Sequence, residues 1–298
     1  MKITTLSLIS MSFLCSVDGR AAAPPSVGIF ISQSEVTSVP EQANHITLPI
    51  RMGSEVYNLA AMIYTPFGSG PFPLVIINHG TPSEKSDLAG RKIGFGKAAR
   101  WFVSKGFIVL VVLRPGFGAS EGAYLEGAGP CDRLDYIAGG RRTAAVETAI
   151  AKSAAQLPGV DPHRIIIVGQ SAGGFGAVAL ADEPPPGVIG VISFAGGRGS
   201  NGTGHICEGS SELIHAMSVF GKHNRLPQLW LYAENDRYFP PVLAKSMHSA
   251  YSTASSSPVV FALLSSFRDD GHRTLADADP SSWTREVQRY LDSILQSP

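Results

Sequence analysis

Short, continuous aliphatic runs recur along this chain, and they constrain its fold more than any other feature. They are "PLVIINHG" (73–80), "FIVLVVLRP" (107–115), "RIIIVGQ" (164–170), "VIGVISFAG" (188–196), "PQLWLYAEN" (227–235) and "PVVFALLSS" (258–266). Helical segments separate them: "KAARWFVSKG", a long helix within 134–156, "GGFGAVALAD", 210–220, "PVLAKSMHSAYS" and finally "SWTREVQRYLDSIL". Continuous Val/Ile/Leu runs alternating with helices argue for an α/β class, a parallel sheet covered on both faces. Ahead of them, "ITLPIR" and "YNLAAMIYTP" read as an antiparallel opening pair. With 298 residues, 44% of them hydrophobic, one domain can bury a substantial core. No internal repeat or long linker interrupts the pattern, and Pro184 to Gly187 reads as a turn.

The chemistry turns on two serines. Gly-Xaa-Ser-Xaa-Gly, a frame in which serine often acts as nucleophile, occurs at Gly118-Ser120-Gly122 and again at Gly169-Ser171-Gly173. Ser171 follows the strand "RIIIV" at once, and "GGFGAVALA" can start a helix immediately after it. A nucleophile elbow needs that strand, sharp turn and helix, with glycine where a side chain would collide. Ser120 lies behind Pro115, Gly116 and Phe117, and the glycines and proline of "EGAYLEGAGP" after it oppose a helix. Ser171 is therefore the candidate nucleophile and Ser120 a loop residue.

A serine hydroxyl needs a base, and the base an orienting carboxylate. In the chain order serine, acid, histidine, the acid follows a late strand and the histidine the last one. Asp236 lies just past "LWLYAEN", and His272 lies in "FRDDGHRT" after the final strand. Glu234, Asp269 and Asp270 are rival carboxylates. For the oxyanion, the backbone N–H groups of Thr81, after "INHG", and Ala172, in the elbow, are the expected donors. His79 is assigned a structural hydrogen-bonding role.

Charge and targeting signals bound the partners. Lysine plus arginine equals aspartate plus glutamate, 24 against 24, with no basic run, so nucleic acid is not an expected partner. Residues 1–23 begin with Lys2, run apolar from Ile3 to Val17 and end in small residues, the layout of a secretory signal peptide. The alternative is a frayed or buried first helix. The run is too short for stable membrane insertion, so a secreted or periplasmic location is expected. A lead segment would then occupy 24–45 and the catalytic domain 46–298. Removing Cys15 would leave Cys131 and Cys207, an even pair that suggests a disulfide in an exported chain or else two buried thiols.

Taken in order, "NHGTP", "LRPGFGASEG", "GQSAGG", "AENDRYFPP" and "DGHRT" resemble the α/β-hydrolase superfamily, most closely its dienelactone hydrolase-like and carboxylesterase branch. The resemblance covers about 46–295. It implies an eight-stranded, mostly parallel sheet, an acyl-enzyme intermediate and an ester-cleaving site without a cofactor. "RPGFGASEG" is similar to the Arg-Gly-Xaa-Gly-Xaa-Ser loop after the fourth strand in that superfamily. Dienelactone hydrolases use cysteine as nucleophile; Ser171 departs from this and favours a more general ester.

Between "SFAGG" and "LPQLW" there is room for one helix and a loop, but not for a large cap domain. The expected site is open or shallow, suited to a small-molecule, bulky or polymeric ester. His205 and Glu208 have no further ligands at recognisable spacing, so no metal is expected. Asn201 opens an Asn-Gly-Thr glycosylation sequon. A serine peptidase or amidase, and a binding protein without catalysis, are the competing functions.

Overall fold

The computed structural model describes residues 41–82 and 87–295. The expected signal peptide (1–23) and residues 24–40 of the lead segment lie outside the described residues.

Strands β1 (Glu41–Met52) and β2 (Glu55–Pro66) form the opening antiparallel hairpin, in register from Glu41 opposite Pro66 to Met52 opposite Glu55. Strand β1 thus begins inside the expected lead segment. Its first residues, Gln42 to His45, are exposed and, Ala43 apart, polar, so the backbone ladder holds them and no hydrophobic run marks them. Strands β3 (Phe72–Asn78), β4 (Ile108–Val112), β5 (Val160–Gln170), β6 (Val188–Phe194), β7 (Gln228–Ala233) and β8 (Val259–Leu264) complete one eight-stranded sheet. The order is β1-β2-β4-β3-β5-β6-β7-β8, and every pairing from β4 to β8 is parallel.

The helices are α1 (Gly96–Ser104), α2 (Tyr136–Ala154), α3 (Ala172–Leu180), α4 (Ser210–Gly221), α5 (Pro241–Ala254), a short α6 (Thr274–Asp277) and α7 (Thr284–Leu295). The period-two alternation of strand side chains assigns them to two cores. Leu74, Ile76, Leu110, Ile165 and Ile167 join residues of α2 to α5 on one face, including Val146, Val178, Phe220 and Met247. Val75, Ile77, Val109, Ile166 and Val168 join Phe102 of α1, Leu275 of α6 and Val287 and Leu291 of α7 on the other. Only a strand covered on both sides can be apolar at every position. Strand β8 departs from this because it is the sheet edge, and Val260 and Leu263 there are exposed.

The strand order reverses at β3, which lies between β4 and β5. Loops leaving β3 and β5 therefore separate to opposite faces and leave a crevice at the carboxyl edge of the sheet. Between β6 and β7 the chain forms only a loop and α4, with no cap domain.

Candidate active site

Ser171 occupies the turn between β5 and α3 with φ 56° and ψ −122°, a conformation that non-glycine residues rarely adopt. The main chain fixes it there. The Ser171 N–H donates to the Phe194 carbonyl at 3.0 Å, and the Ser171 carbonyl accepts from the N–H groups of Phe175 (2.8 Å) and Gly197 (3.2 Å). Glycines permit the crossing: a Cβ on Gly173 would lie 2.6 Å from the His79 carbonyl oxygen and 2.7 Å from that of Asn78. Across the crevice, a Cβ on Gly80 would lie 2.8 Å from the Ser171 Cβ, so the end of β3 runs directly against the serine.

The two expected oxyanion donors, the N–H groups of Ala172 and Thr81, belong to the two segments that meet here. Ala172 is the first residue of α3, so its N–H has no acceptor within the helix. Thr81 follows Gly80, and its buried Oγ1 has no hydrogen-bond partner among the described residues. Burial, reinforced by the charges of Arg114 and Arg91, pushes the His79 imidazole well below the usual histidine range, against a hydrogen bond to Gly80. Its Nε2 accepts from the Arg114 N–H at 3.1 Å, so Nδ1 carries the proton and donates to the Gly80 carbonyl at 2.8 Å. His79 holds the loop's shape.

Asp236 and His272 meet. The His272 Nδ1 lies 3.2 and 3.3 Å from the two Asp236 carboxylate oxygens, with both residues buried. Asp236 Oδ1 also accepts from the N–H groups of Tyr238 and Phe239, each at 2.9 Å, which fixes the carboxylate's rotation. The rival carboxylates do other work. Asp270 accepts from the backbone N–H groups of His272 (3.0 Å) and Arg237 (3.1 Å), tying the two loops together, while Glu234 and Asp269 are exposed. Gln170, the residue before Ser171, donates through Nε2 to the His272 carbonyl at 2.9 Å, linking elbow and histidine loop. Among the described residues no hydrogen bond joins Ser171 Oγ to the imidazole.

Ser120 is structural. Its Oγ donates to the Leu113 carbonyl (2.6 Å) and accepts from the Ala60 N–H (2.9 Å), pinning the loop after β4 to β2.

Sequence reasoning missed three features. Tyr238 stacks on the His272 ring at a centroid distance of 4.1 Å and an interplanar angle of 23°, and Phe239 packs on it at 5.6 Å. The aromatic pair in "NDRYFPP", two and three residues after Asp236, was the available signal. Beneath the site, Arg114 pairs with Glu126 out of solvent, and Arg198 joins them, reaching Glu126 at 3.4 Å and Thr143 at 2.8 Å. A cavity of about 570 Å³ borders both site loops, lined in part by Pro82, Arg91, Phe95, Arg273 and Asp277.

Cys131 and Cys207 form a disulfide, with Cα atoms 4.8 Å apart. It joins the connection after β4 to the connection after β6. His205 approaches the same pair; Glu208 is exposed, as is Asn201, whose side chain accepts from the Thr203 N–H and hydroxyl. Among the described residues no helix is long and apolar enough to cross a membrane.

No family model matches the chain, and no curated protein matches it in sequence. Solved structures do. A candidate dienelactone hydrolase from Klebsiella pneumoniae is 18% identical with TM-score 0.58, over 87% of this chain and all of its own. The Pyrococcus furiosus esterase Pf2001 is 13% identical with TM-score 0.59, over 84% of this chain and 90% of its own. An acylaminoacyl peptidase from Pyrococcus horikoshii is 13% identical with TM-score 0.57; the match covers 86% of this chain but 42% of the peptidase. These neighbours are named as a hydrolase, an esterase and a peptidase, and the likeness is one of architecture: this chain, with its eight-stranded, mostly parallel sheet, has the α/β-hydrolase fold.

Proposed function

We propose that the protein is an exported serine hydrolase that cleaves carboxylic esters, small-molecule or polymeric, through an acyl-enzyme intermediate. The observation that carries this reading is the buried Asp236–His272 pair, tied by Gln170 to the elbow that presents Ser171. Nδ1–H of His272 faces the carboxylate, which leaves Nε2 to take the Ser171 proton as Oγ attacks the ester carbonyl. Catalytic hydrogen bonds are often open without substrate, and the Oγ–Nε2 bond forms as the ester docks. The N–H groups of Ala172 and Thr81 receive the developing oxyanion. The tetrahedral intermediate collapses, Nε2–H protonates the departing alkoxide, and water activated by the same nitrogen hydrolyses the acyl-enzyme. Among the described residues no cap domain covers the crevice, which suits a bulky substrate, and the cavity beside Pro82 and Arg273 gives one arm of it room to extend.

An amidase would use the same groups. Ester cleavage is the better reading because the neighbours matched over nearly their whole length are an esterase and a candidate dienelactone hydrolase, whereas the acylaminoacyl peptidase is more than twice as long as the region shared. Export rests on the leader-like residues 1–23 and on the disulfide. The test is fluorophosphonate labelling together with initial rates on matched ester and amide substrates. The parent should label and prefer the ester. Ser171→Ala should lose both label and turnover, Ser120→Ala should keep turnover while losing stability, and Asp236→Asn should lower kcat by about 10⁴. A parent that neither labels nor cleaves any ester would sink the reading; equal losses in Asp270→Asn and Asp236→Asn would reassign the acid.

A further inference from the structure

His205, Cys131 and Cys207 come from two distant stretches of chain, yet one ligand atom from each falls within 4.8 Å of the other two. Neither stretch has metal-ligand spacing of its own. The tertiary structure assembles the cluster on a short anchored hairpin. Ser200 pairs with Ile206, the Cys207 N–H donates to the Gly199 carbonyl at 2.8 Å, and Tyr136 donates its hydroxyl to the Cys207 carbonyl at 2.6 Å. Ile206 packs against the core, while its neighbour His205 is exposed and Cys207 half-buried, and both reach Cys131. Cys131 meets them from a one-turn helix, Cys131–Arg133, and is itself exposed.

From this geometry we infer that the rim staple has a second chemical form: with the disulfide reduced, Cys131, Cys207 and His205 bind one zinc-like divalent metal ion. Exposure gives a dithiol reductant access to the bond. Its two thiols are oxidised to a disulfide while Cys131 and Cys207 are reduced to thiols. The metal then takes both sulfurs as thiolates, releasing two protons to solvent, and takes one imidazole nitrogen of His205 as third ligand. Two thiolates and an imidazole are the donor set that zinc prefers, and solvent can fill the fourth tetrahedral position. With metal–sulfur bonds of about 2.3 Å, the two sulfurs would settle about 3.7 Å apart. That is a small opening, which the exposed one-turn helix carrying Cys131 can take up while the hairpin carrying Cys207 stays anchored.

The metal would preserve what the disulfide provides. The connections after β4 and β6 would stay joined after the sulfur–sulfur bond is gone. The second of these touches the proposed base through one residue: a Cβ on Gly202 would lie 2.7 Å from the Tyr238 ring, which stacks on His272. The inference does not depend on the serine chemistry, and its test reads metal alone.

The experiment uses the full chain carrying Cys15→Ser, so that only two cysteines remain. The protein is reduced with a phosphine, which is itself oxidised to the phosphine oxide, freed of excess reductant without air, and titrated with Co²⁺. The expected result is one cobalt per chain, with thiolate-to-cobalt charge transfer and the visible bands of a tetrahedral site. Zn²⁺ should bleach the signal, and the unreduced protein should show none. His205→Ala should weaken binding at least ten-fold, and Cys131→Ser with Cys207→Ser should abolish it. Undiminished cobalt affinity in His205→Ala, or no thiolate–cobalt absorption in the reduced parent, overturns the proposal. If reduction lowers the Tm, Zn²⁺ should restore at least half the loss in the parent and little of it in His205→Ala; equal restoration in both, or in neither, also counts against the site.

Discussion

At the scale of single residues, the stack of Tyr238 on His272 decides how well the proposed base is held. The imidazole has one strong tether, Asp236, and a ring held at one edge can still swing about that contact. Tyr238 against its face and Phe239 beside it remove this freedom. Aromatic pairs contribute about 0.5–1.5 kcal/mol beyond their buried area, enough to shift ring orientation measurably. Tyr238→Leu should therefore lower kcat by roughly three- to ten-fold with little change in KM, on the scale of that coupling, and Tyr238→Phe should restore it. Steady-state kinetics on an activated ester checks the pattern; a change confined to KM would make Tyr238 a substrate contact instead. The glycine at 202 belongs to the same unit, since only a residue without Cβ lets the rim loop lie against the Tyr238 ring.

At the scale of elements, the crossing of β3 with the β5–α3 turn is a tight backbone constraint beside Ser171. Gly173 sits on the first turn of α3 with the carbonyls of Asn78 and His79 directly against it. Asn78, the last residue of β3, is paired with Val112 of β4 on one side and Gly169 of β5 on the other, so its backbone cannot retreat. Gly173→Ala is expected to destabilise the fold by about 1–3 kcal/mol through overpacking. It should also displace the serine turn, so turnover should fall further than stability alone explains. Chemical denaturation combined with kinetics on the folded fraction separates the two effects, and an unperturbed Tm would contradict the packing argument.

Two properties belong to the whole molecule. The disulfide closes a loop spanning 76 residues, for which the chain-entropy relation gives a stabilisation of about 4.5 kcal/mol. Metal-free reduction should therefore lower the Tm by on the order of 10 °C for a domain of this size, as calorimetry would show. The second is the buried charge cluster under the site. Glu147 lies fully buried within it, and neither carboxyl oxygen has a partner among the described residues. Burial is the main cause that pushes its carboxyl well above the usual range; Arg114 opposes the shift, Glu126 adds to it and Arg198 opposes it. The folded state thus keeps a proton that the unfolded chain releases above about pH 4.5, so this group's contribution to stability is full below that pH and falls as pH rises through the folded value. Glu147→Gln keeps the shape without the titration. It should be more stable than the parent at neutral and alkaline pH, with the difference growing as pH increases; a constant difference across pH would argue against a protonated Glu147.

The sequence by itself determined the class of fold, the alternation of strands and helices, and which serine sits in an elbow, because these depend on local periodicity and on glycines a few residues apart. It also ranked Asp236 and His272 by their places after the late strands. Which of Asp236, Asp270, Asp269 and Glu234 faces the His272 imidazole is decided by the tertiary structure, because all four lie on two neighbouring loops and only side-chain direction separates them. The pairing of Cys131 with Cys207, the approach of His205, the Tyr238 stack and the Arg114–Glu126–Arg198 cluster join residues tens of positions apart. Such contacts leave no periodic trace. They depend on how loops at one edge of the sheet turn toward each other, which the packing of the two cores beneath them decides.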